Sequence, residues 1–399
     1  MKLRKTVAAV AVALCVAGPA SAAIENVNFN GFLTVGATQS DSKVPFFNGN
    51  ITDEVGFEQD SRVGLQMSAD VSDRIGVTAQ LLGRARNTDY NAFFDWGFVR
   101  YDATDNFTLR GGKLKFPTFL ISDYYEVGYA YPWIRPPQEV YYSNPLTTIS
   151  GADFLWHIPV GSADWLIQPY AGTSRGQETL IPQYALEFNS MLPPSNQLFS
   201  LQPGDVGYVN FEAEKLYGIN SSLTWDSFSL RAGYLKTNVK AKDIGVIKAD
   251  DAKFWSVGAT MDWHNIVGYT EYFEREIDGI ANLGFPNQKG WYATLGYRIG
   301  KWLPHVTYAT LDDNNNPKSP CGNLGGGAVP CGEPLEQDSV TLGLRYELAT
   351  GAALKVEAER MQPKNGRGLF TGYESTSNGN VRKDPGDVNV FSVAVDVVF

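Results

Sequence analysis

The sequence predicts an all-β chain: a closed, antiparallel, sixteen-stranded transmembrane barrel with short turns at one rim and long loops at the other. Three observations predict it. Segments of ten or so residues alternate apolar and polar side chains along most of the chain. Their connections alternate between short and long. The segment that ends on Phe399 has an aliphatic and aromatic face and no tail to cover it.

That last segment sets the pattern. Asn389, Phe391, Val393, Val395, Val397 and Phe399 fall on one face of a strand, and Val390, Ser392, Ala394, Asp396 and Val398 on the other. A strand left at a sheet edge offers unpaired amides to any passing chain. Closing the sheet pairs this strand with the first, at about residues 27–38, and the edge disappears.

The start of the chain reads as a secretory signal peptide over residues 1–22. Lys2, Arg4 and Lys5 precede an apolar run from Thr6 to Gly18, and Ala20, Ser21 and Ala22 form a small-residue cleavage site. Cys15 belongs to this signal. The mature chain, residues 23–399, is expected to be one barrel domain. It keeps 30 basic residues against 43 acidic ones, a formal charge of −13. That balance argues against nucleic acid as a partner. No other stretch approaches the roughly 18 apolar residues of a membrane helix, so export leaves the periplasm, the outer membrane or the medium. The 22 Phe, 20 Tyr and 9 Trp sit beside a slightly negative mean hydropathy. A membrane barrel has this composition because alternate residues face water.

Strands are expected at 27–38, 61–71, 74–86, 92–101, 106–115, 151–160, 163–173, 213–225, 228–239, 253–264, 266–275, 290–300, 302–311, 338–348, 352–362 and 388–399. Each has about the length a tilted membrane strand needs, some 9–11 residues. Val63, Leu65, Met67, Ala69 and Val71 alternate with Arg62, Gly64, Gln66, Ser68 and Asp70; the segments around Trp255, Trp291 and Val340 alternate in the same way. Trp255 and Trp263, at the two ends of one apolar face, suit an aromatic girdle. A soluble β-sandwich would need fewer and shorter strands. Neither face of 92–101 or 266–275 is cleanly apolar. Short turns join the strands at Ser72-Asp73, 102–105, Gly161-Ser162, Asp226-Ser227, Asn265, Gly300-Lys301 and 349–351. Longer segments lie at 39–60, 87–91, 116–150, 174–212, 240–252, 276–289, 312–337 and 363–387. The even strand count puts both termini on the short-turn, periplasmic side.

Together these features resemble the Gram-negative trimeric porin family over essentially the whole mature chain. The resemblance implies a homotrimer in the outer membrane, in contact with lipid and lipopolysaccharide, passing small hydrophilic solutes by diffusion. It implies that Phe399 is read by the outer-membrane assembly machinery. It also implies that the third long loop, 116–150, folds into the barrel and narrows the pore. That loop is rich in aromatics and proline, from Phe116 and Pro117 through Tyr131, Pro132, Trp133, Ile134 and Arg135 to Tyr141 and Tyr142. Such rigid, buriable side chains suit a loop packed on an inner wall. The acidic loop motif of enterobacterial general porins is absent, so constriction details do not carry over.

With parity fixed by the apolar residues, Arg62, Arg74, Arg84, Arg110, Arg231, Arg298 and Arg345 point inward, and Arg86 joins them. Lys113 and Lys115 end strand five. Inward carboxylates are Asp70, Asp153, Asp262, Glu347, Glu357, Glu359 and Asp396, and the third loop adds Asp123, Glu126 and Glu139, with Arg135 among them. Opposed rows of charge across a narrow opening set up a transverse field that tunes what passes. Two readings stand: the arginines line the constriction, or they form structural salt bridges within the lumen. The acids Asp41, Asp53, Glu54, Glu58 and Asp60 are placed in a loop far from the narrowest point.

Other chemistry finds little support. His157, His264 and His305 fall near different rims, so neither a catalytic triad nor a metal cluster assembles. There is no Gly-rich phosphate loop and no helical pattern of useful length. Asp312, Asp313 and Asn314–Asn316 lack the spacing of a calcium loop. No cofactor is expected. Cys321 and Cys331, in a Gly/Pro/Asn-rich segment, are read as a short-loop disulfide suited to an oxidising compartment. The rival to a general channel is a solute-specific one, with Trp133, Arg135 and the loop tyrosines stacking on a sugar or an aromatic acid.

Overall fold

The structure, a computed structural model, describes residues 25–46, 51–86, 89–144, 146–181, 183–191, 193–197, 200–241, 250–278, 286–313, 322–324, 327–329 and 335–399. The expected signal peptide, Cys321 and Cys331 lie outside the described residues. The strands are β1 (Glu25–Ser40), β2 (Arg62–Ser72), β3 (Ile75–Arg86), β4 (Asp89–Thr104), β5 (Phe107–Lys115), β6 (Thr148–Val160), β7 (Ala163–Leu180), β8 (Tyr208–Trp225), β9 (Phe228–Ala241) and β10 (Asp250–Trp263). Then come β11 (Ile266–Ile277), β12 (Gln288–Tyr297), β13 (Trp302–Asp313), β14 (Gly322–Leu324), β15 (Gly327–Val329), β16 (Glu336–Ala349), β17 (Ala352–Lys364), β18 (Tyr373–Thr376), β19 (Gly379–Arg382) and β20 (Val388–Val398). Sixteen of them, β1–β13, β16, β17 and β20, close an antiparallel barrel. The pairs β14/β15 and β18/β19 are small hairpins in the last two long loops.

Closure occurs where the terminal pattern demands it. β20 pairs with β1 from Phe32 opposite Val398 to Ser40 opposite Val390, and Gly31 and Phe399 exchange backbone hydrogen bonds of 2.7 and 3.0 Å. Gly31 has no Cβ to obstruct the Phe399 ring that lies against it. Val35, Leu65, Val257, Leu295, Leu342, Val393 and Phe391 stand exposed on the outer face, in the parity read from the sequence. Trp165, Trp225, Trp263 and Trp302 are exposed beside the short turns, as an interfacial girdle requires. Those turns need left-handed backbone, which Gly161, Gly300 and Gly351 supply most cheaply, with φ of 62°, 61° and 80°.

Two expectations change. The segment 87–91 is no long loop: β3 and β4 stay paired out to Arg86 and Asp89, so two residues separate them. The fourth loop carries a nine-residue helix, α2 (Gln183–Met191), which the sequence reading passed over.

The core is inside the barrel. The third loop, between β5 and β6, enters the lumen through 3-10 turns at Ser122–Tyr124 and Gly128–Ala130 and a single-turn helix, α1 (Gln138–Tyr141). Its Phe116, Phe119, Leu120, Ile121, Tyr131, Trp133, Val140 and Tyr141 are buried in one cluster with wall residues such as Phe254, Phe273, Tyr292, Leu311 and Met361. Burying this aromatic surface is the main force holding the loop in the barrel. Over the mouth, the first loop adds Phe46, edge-on to Phe370 of the eighth loop at 5.2 Å. The fourth and eighth loops also meet there, although β7/β8 and β17/β20 stand half a circuit apart. The Tyr373 hydroxyl donates to Glu187 Oε1 at 2.7 Å, and Asn380 Nδ2 donates to Asp205 Oδ1 at 2.9 Å.

Candidate functional site

The third loop is fastened along one side of the lumen by groups that satisfy its backbone. Lys355 Nζ donates to the carbonyls of Gly128 and Trp133 at 2.6 and 2.7 Å and pairs with Asp396 at 2.9 Å. Arg345 Nη1 donates to the carbonyls of Tyr129 and Tyr131 at 2.7 and 3.1 Å. The Ile134 amide donates to Glu357 at 2.9 Å and the Leu120 amide to Glu271 at 2.9 Å. The Trp133 indole donates to Thr307 and Thr294 at 2.9 and 3.1 Å. Tyr129 reaches the periplasmic rim, donating to Glu347 at 3.0 Å and accepting from the Gly351 amide at 3.3 Å. A non-helical segment at membrane depth is tolerated because protein groups take up its amides and carbonyls.

The loop therefore lines the wall of β10–β20 and β1 and also touches β7 and β9, where the Phe116 and Tyr170 ring centres lie 5.6 Å apart and Arg231 Nη1 donates to the Leu120 carbonyl at 3.1 Å; the remaining opening faces the rest of β3–β9. Here the structure sorts the expected site residues. Arg84 is 43% exposed, and its Nη1 donates to Glu126 Oε1 at 3.0 Å. Arg62 lies deeper, donating Nε to the Glu126 carbonyl at 2.8 Å and Nη2 to the Tyr131 hydroxyl at 2.7 Å. Burial alone would push the Glu126 carboxyl up, but Arg84, Lys115 and Arg62 outweigh it and hold it below the usual carboxylate range. Arg110 makes a two-pronged ion pair with Asp153, and its guanidinium lies 5.1 Å from the Phe98 ring centre. Lys115 pairs with Asp95 at 2.7 Å. Lys113 donates to the Phe94 carbonyl at 2.9 Å and makes no ion pair among the described residues. Asp123, 54% exposed, is the loop acid nearest open space, with Arg231 at 3.9 Å. Arg86 ends β3 at the outer rim.

Arg135 and Glu139 are corrections: neither lines the opening. Arg135 is sealed behind the loop, with Nη1 on Asp60 at 2.6 Å and Thr38 at 2.9 Å, Nη2 on Ser392 at 2.7 Å, and Glu359 at 3.9 Å. Asp60, placed far away by the sequence reading, is its buried partner because the first loop folds inward at its end. Glu139 is fully buried in α1, where Gln337 Nε2 donates to it at 2.7 Å. Burial pushes its carboxyl up. Trp133 is buried too, so it offers no face to a passing solute. Arg298 with Asp262 and Arg345 with Glu347 follow the salt-bridge reading, whereas Arg74 donates to the Ala103 carbonyl at 3.5 Å.

Sequence reasoning missed Lys355, although its alternation with Leu354 and Val356 marks it as inward. It missed Arg100, which pairs with Asp70 at 2.7 Å and Asp102 at 2.5 Å, because β4 gave no clear parity. The histidines stay apart. His157 pairs with Asp164 at 2.8 Å, His264 sits in a short turn, and His305 is buried 3.9 Å from Glu357.

Around the opening, Arg62, Arg84, Arg110, Lys113, Lys115 and Arg231 are six cations, against the four carboxylates of Asp95, Asp123, Glu126 and Asp153. The excess is positive.

Comparison with known proteins agrees with this architecture. The family model described as Gram-negative porin matches residues 7–151 and 198–366. A search of curated proteins gives no significant match. Among solved structures, the chain is similar to an anion-selective porin from Comamonas acidovorans, at 13% identity and a TM-score of 0.54, covering 94% of this chain and 99% of that one. It is similar to the trimer form of OmpT from Vibrio cholerae, at 12% identity, TM-score 0.54 and coverage of 94% and 99%. It is similar to OmpF of Salmonella typhi in complex with daunomycin, at 11% identity, TM-score 0.54 and coverage of 94% and 97%. At these identities the likeness is one of fold.

Proposed function

The chain belongs to the Gram-negative porin family, and on that premise we propose that this outer-membrane channel passes small hydrophilic solutes through a passage between loop residues 122–127 and the β3–β9 wall, with a preference for anions. The observation that carries this is the positive excess around an opening whose other side is sealed by the loop. In a low-dielectric constriction such an excess raises the local concentration of anions. Arg84, Lys113 and Asp123 are the groups a solute meets. Arg110 stands behind them with Asp153, while Arg62 and Lys115 fix Glu126 and Asp95.

Residues 1–22 are removed on export, the folded chain is a homotrimer, and Cys321 and Cys331 are joined; these parts of the proposal rest on the sequence pattern and the family. Reconstitution into planar bilayers under a KCl gradient tests the channel. Stable conductance steps with a reversal potential on the anion side are expected, and Arg84→Gln moves that potential toward cations. Absence of steps removes the channel reading, and an unchanged potential in Arg84→Gln removes Arg84 from the passage.

A further inference from the structure

The lumen wall of a membrane barrel is normally polar. The inward face of β4 carries Asn91 and Arg100 at its ends but is aromatic between them. Phe93 pairs with Leu82, Trp96 with Gln80 and Phe98 with Thr78, and these partners share the face of β3 that carries Arg84. Strict alternation would send Phe93 and Trp96 to opposite faces, since they are three positions apart. The register breaks between Gln80 and Leu81, where β4 accommodates one extra residue, Asp95. Such a bulge re-aims the side chains that follow it. The result is a row of three rings on the lumen side, spanning on the order of 15 Å along the strand.

The row is furnished for a charged ligand. The Arg84 guanidinium lies 5.7 Å from the centre of Phe93, and that ring is 38% exposed. Trp96 stacks on Phe98 with centroids 5.6 Å apart and planes 12° apart. Arg110 covers Phe98, and Lys113 stands on the neighbouring strand without an ion pair among the described residues. The Trp96 indole Nε1 is buried from solvent, so the ring meets a solute with its carbon face.

Resting on the channel reading above, we propose that the inward face of β4 is a binding track for flat, ring-bearing carboxylates. The ring of the solute lies along Phe93, Trp96 and Phe98, and its carboxylate is handed between Arg84 and Lys113, while Arg110 stays forked on Asp153. Guanidinium groups hold a carboxylate through two parallel hydrogen bonds, and aromatic faces favour offset stacking over plain apolar contact. A sugar fits less well, because the carboxylates bordering the rings are already engaged by Arg84, Arg110 and Lys115.

Single-channel recording with the full chain in planar bilayers in KCl tests this, with benzoate as probe and acetate, cyclohexanecarboxylate and glucose as controls. Benzoate is expected to interrupt the current in a saturating, concentration-dependent way, with cyclohexanecarboxylate weaker and acetate and glucose without effect. Phe93→Leu, which keeps apolar bulk and removes the ring, is expected to weaken the benzoate block by roughly three- to tenfold. Arg84→Gln is expected to weaken it by at least as much. Normal KCl steps with benzoate no different from acetate overturn the track and leave the channel standing. Block that both variants leave unchanged also overturns it, because the site then lies elsewhere. Absence of KCl steps overturns the channel reading and the track with it.

Discussion

Replacing Arg135 by Met keeps the length of the side chain and removes its charge and three hydrogen bonds, those to Asp60, Thr38 and Ser392 at 2.6, 2.9 and 2.7 Å. The two carboxylates it faces, Asp60 and Glu359, are both buried, so they lose a cation in a setting where water cannot replace it. Breaking a buried pair in this way costs about 3–5 kcal/mol. The hydroxyls suffer less, because Thr38 also donates to Asp60 and can accept from the Ser392 hydroxyl at 3.0 Å. Neutralising Asp60 as well, in the double variant D60N/R135M, therefore recovers much of the loss. What remains is the few hydrogen bonds, at roughly 1 kcal/mol each, and the charge of Glu359. The assay is urea unfolding of the folded barrel in detergent, followed by circular dichroism and tryptophan fluorescence for wild type, R135M, D60N and the double variant. The cycle isolates the coupling between the two residues. A cost for R135M below about 1 kcal/mol, or a double variant less stable than R135M, would refute the view that Arg135 pins the loop to the β1/β20 seam.

Glu139→Gln should stabilise the folded barrel: burial holds the Glu139 carboxyl above its ordinary value, so the wild-type chain loses stability as pH rises from the unfolded carboxyl pKa toward the folded one. Urea midpoints of the two proteins should converge in acid and separate toward neutrality. Glu126 is the opposite case. Its carboxyl is held down, so its contribution is fully present above the unfolded carboxyl pKa and is lost as pH falls through the lower folded value. Anion selectivity, read from the reversal potential, should rise over that acid range as Arg84 is released, and E126Q should show the raised selectivity at every pH. Phe399→Ala removes a 65% exposed ring at the lipid side of the closing seam while the Gly31 backbone pair remains. Folded yield in vesicles should fall more than the urea midpoint of the molecules that do fold. Tyr373→Phe combined with Asn380→Ala and Arg382→Gln removes the hydrogen bonds and the ion pair that join the fourth and eighth loops, and mean conductance should rise without a change in reversal potential.

How far the residues announced all this depends on what each one faces. Period two is loud wherever a strand has lipid on one side and water on the other, so β2, β10, β12, β16 and β20 could be read directly. It fades where the inner side meets protein or solute. β11 packs Phe273 and Glu271 under the third loop, and β4 turns three rings into the lumen, so in each strand neither face is cleanly apolar. Charge signs carried over well, since every inward carboxylate named from parity engages a loop or wall group. Partner choice did not. Nothing local tells Arg135 that Asp60 waits 75 residues earlier in the chain; that meeting exists only once two loops have folded into the same cavity. Lys355 was legible and was passed over, for an inward lysine reads as solvated until a loop carbonyl is found on it.

The contact between the fourth and eighth loops acts as a beam laid across a round opening. A solute entering the proposed channel from outside would have to pass beside that beam and beside the Phe46–Phe370 contact. In the proposed channel, size would be judged at the surface, before any charge is felt at Arg84 or Asp123. Two filters would act in series, an outer one that measures bulk and an inner one that measures charge, and changes in the loops would retune the first without touching the second.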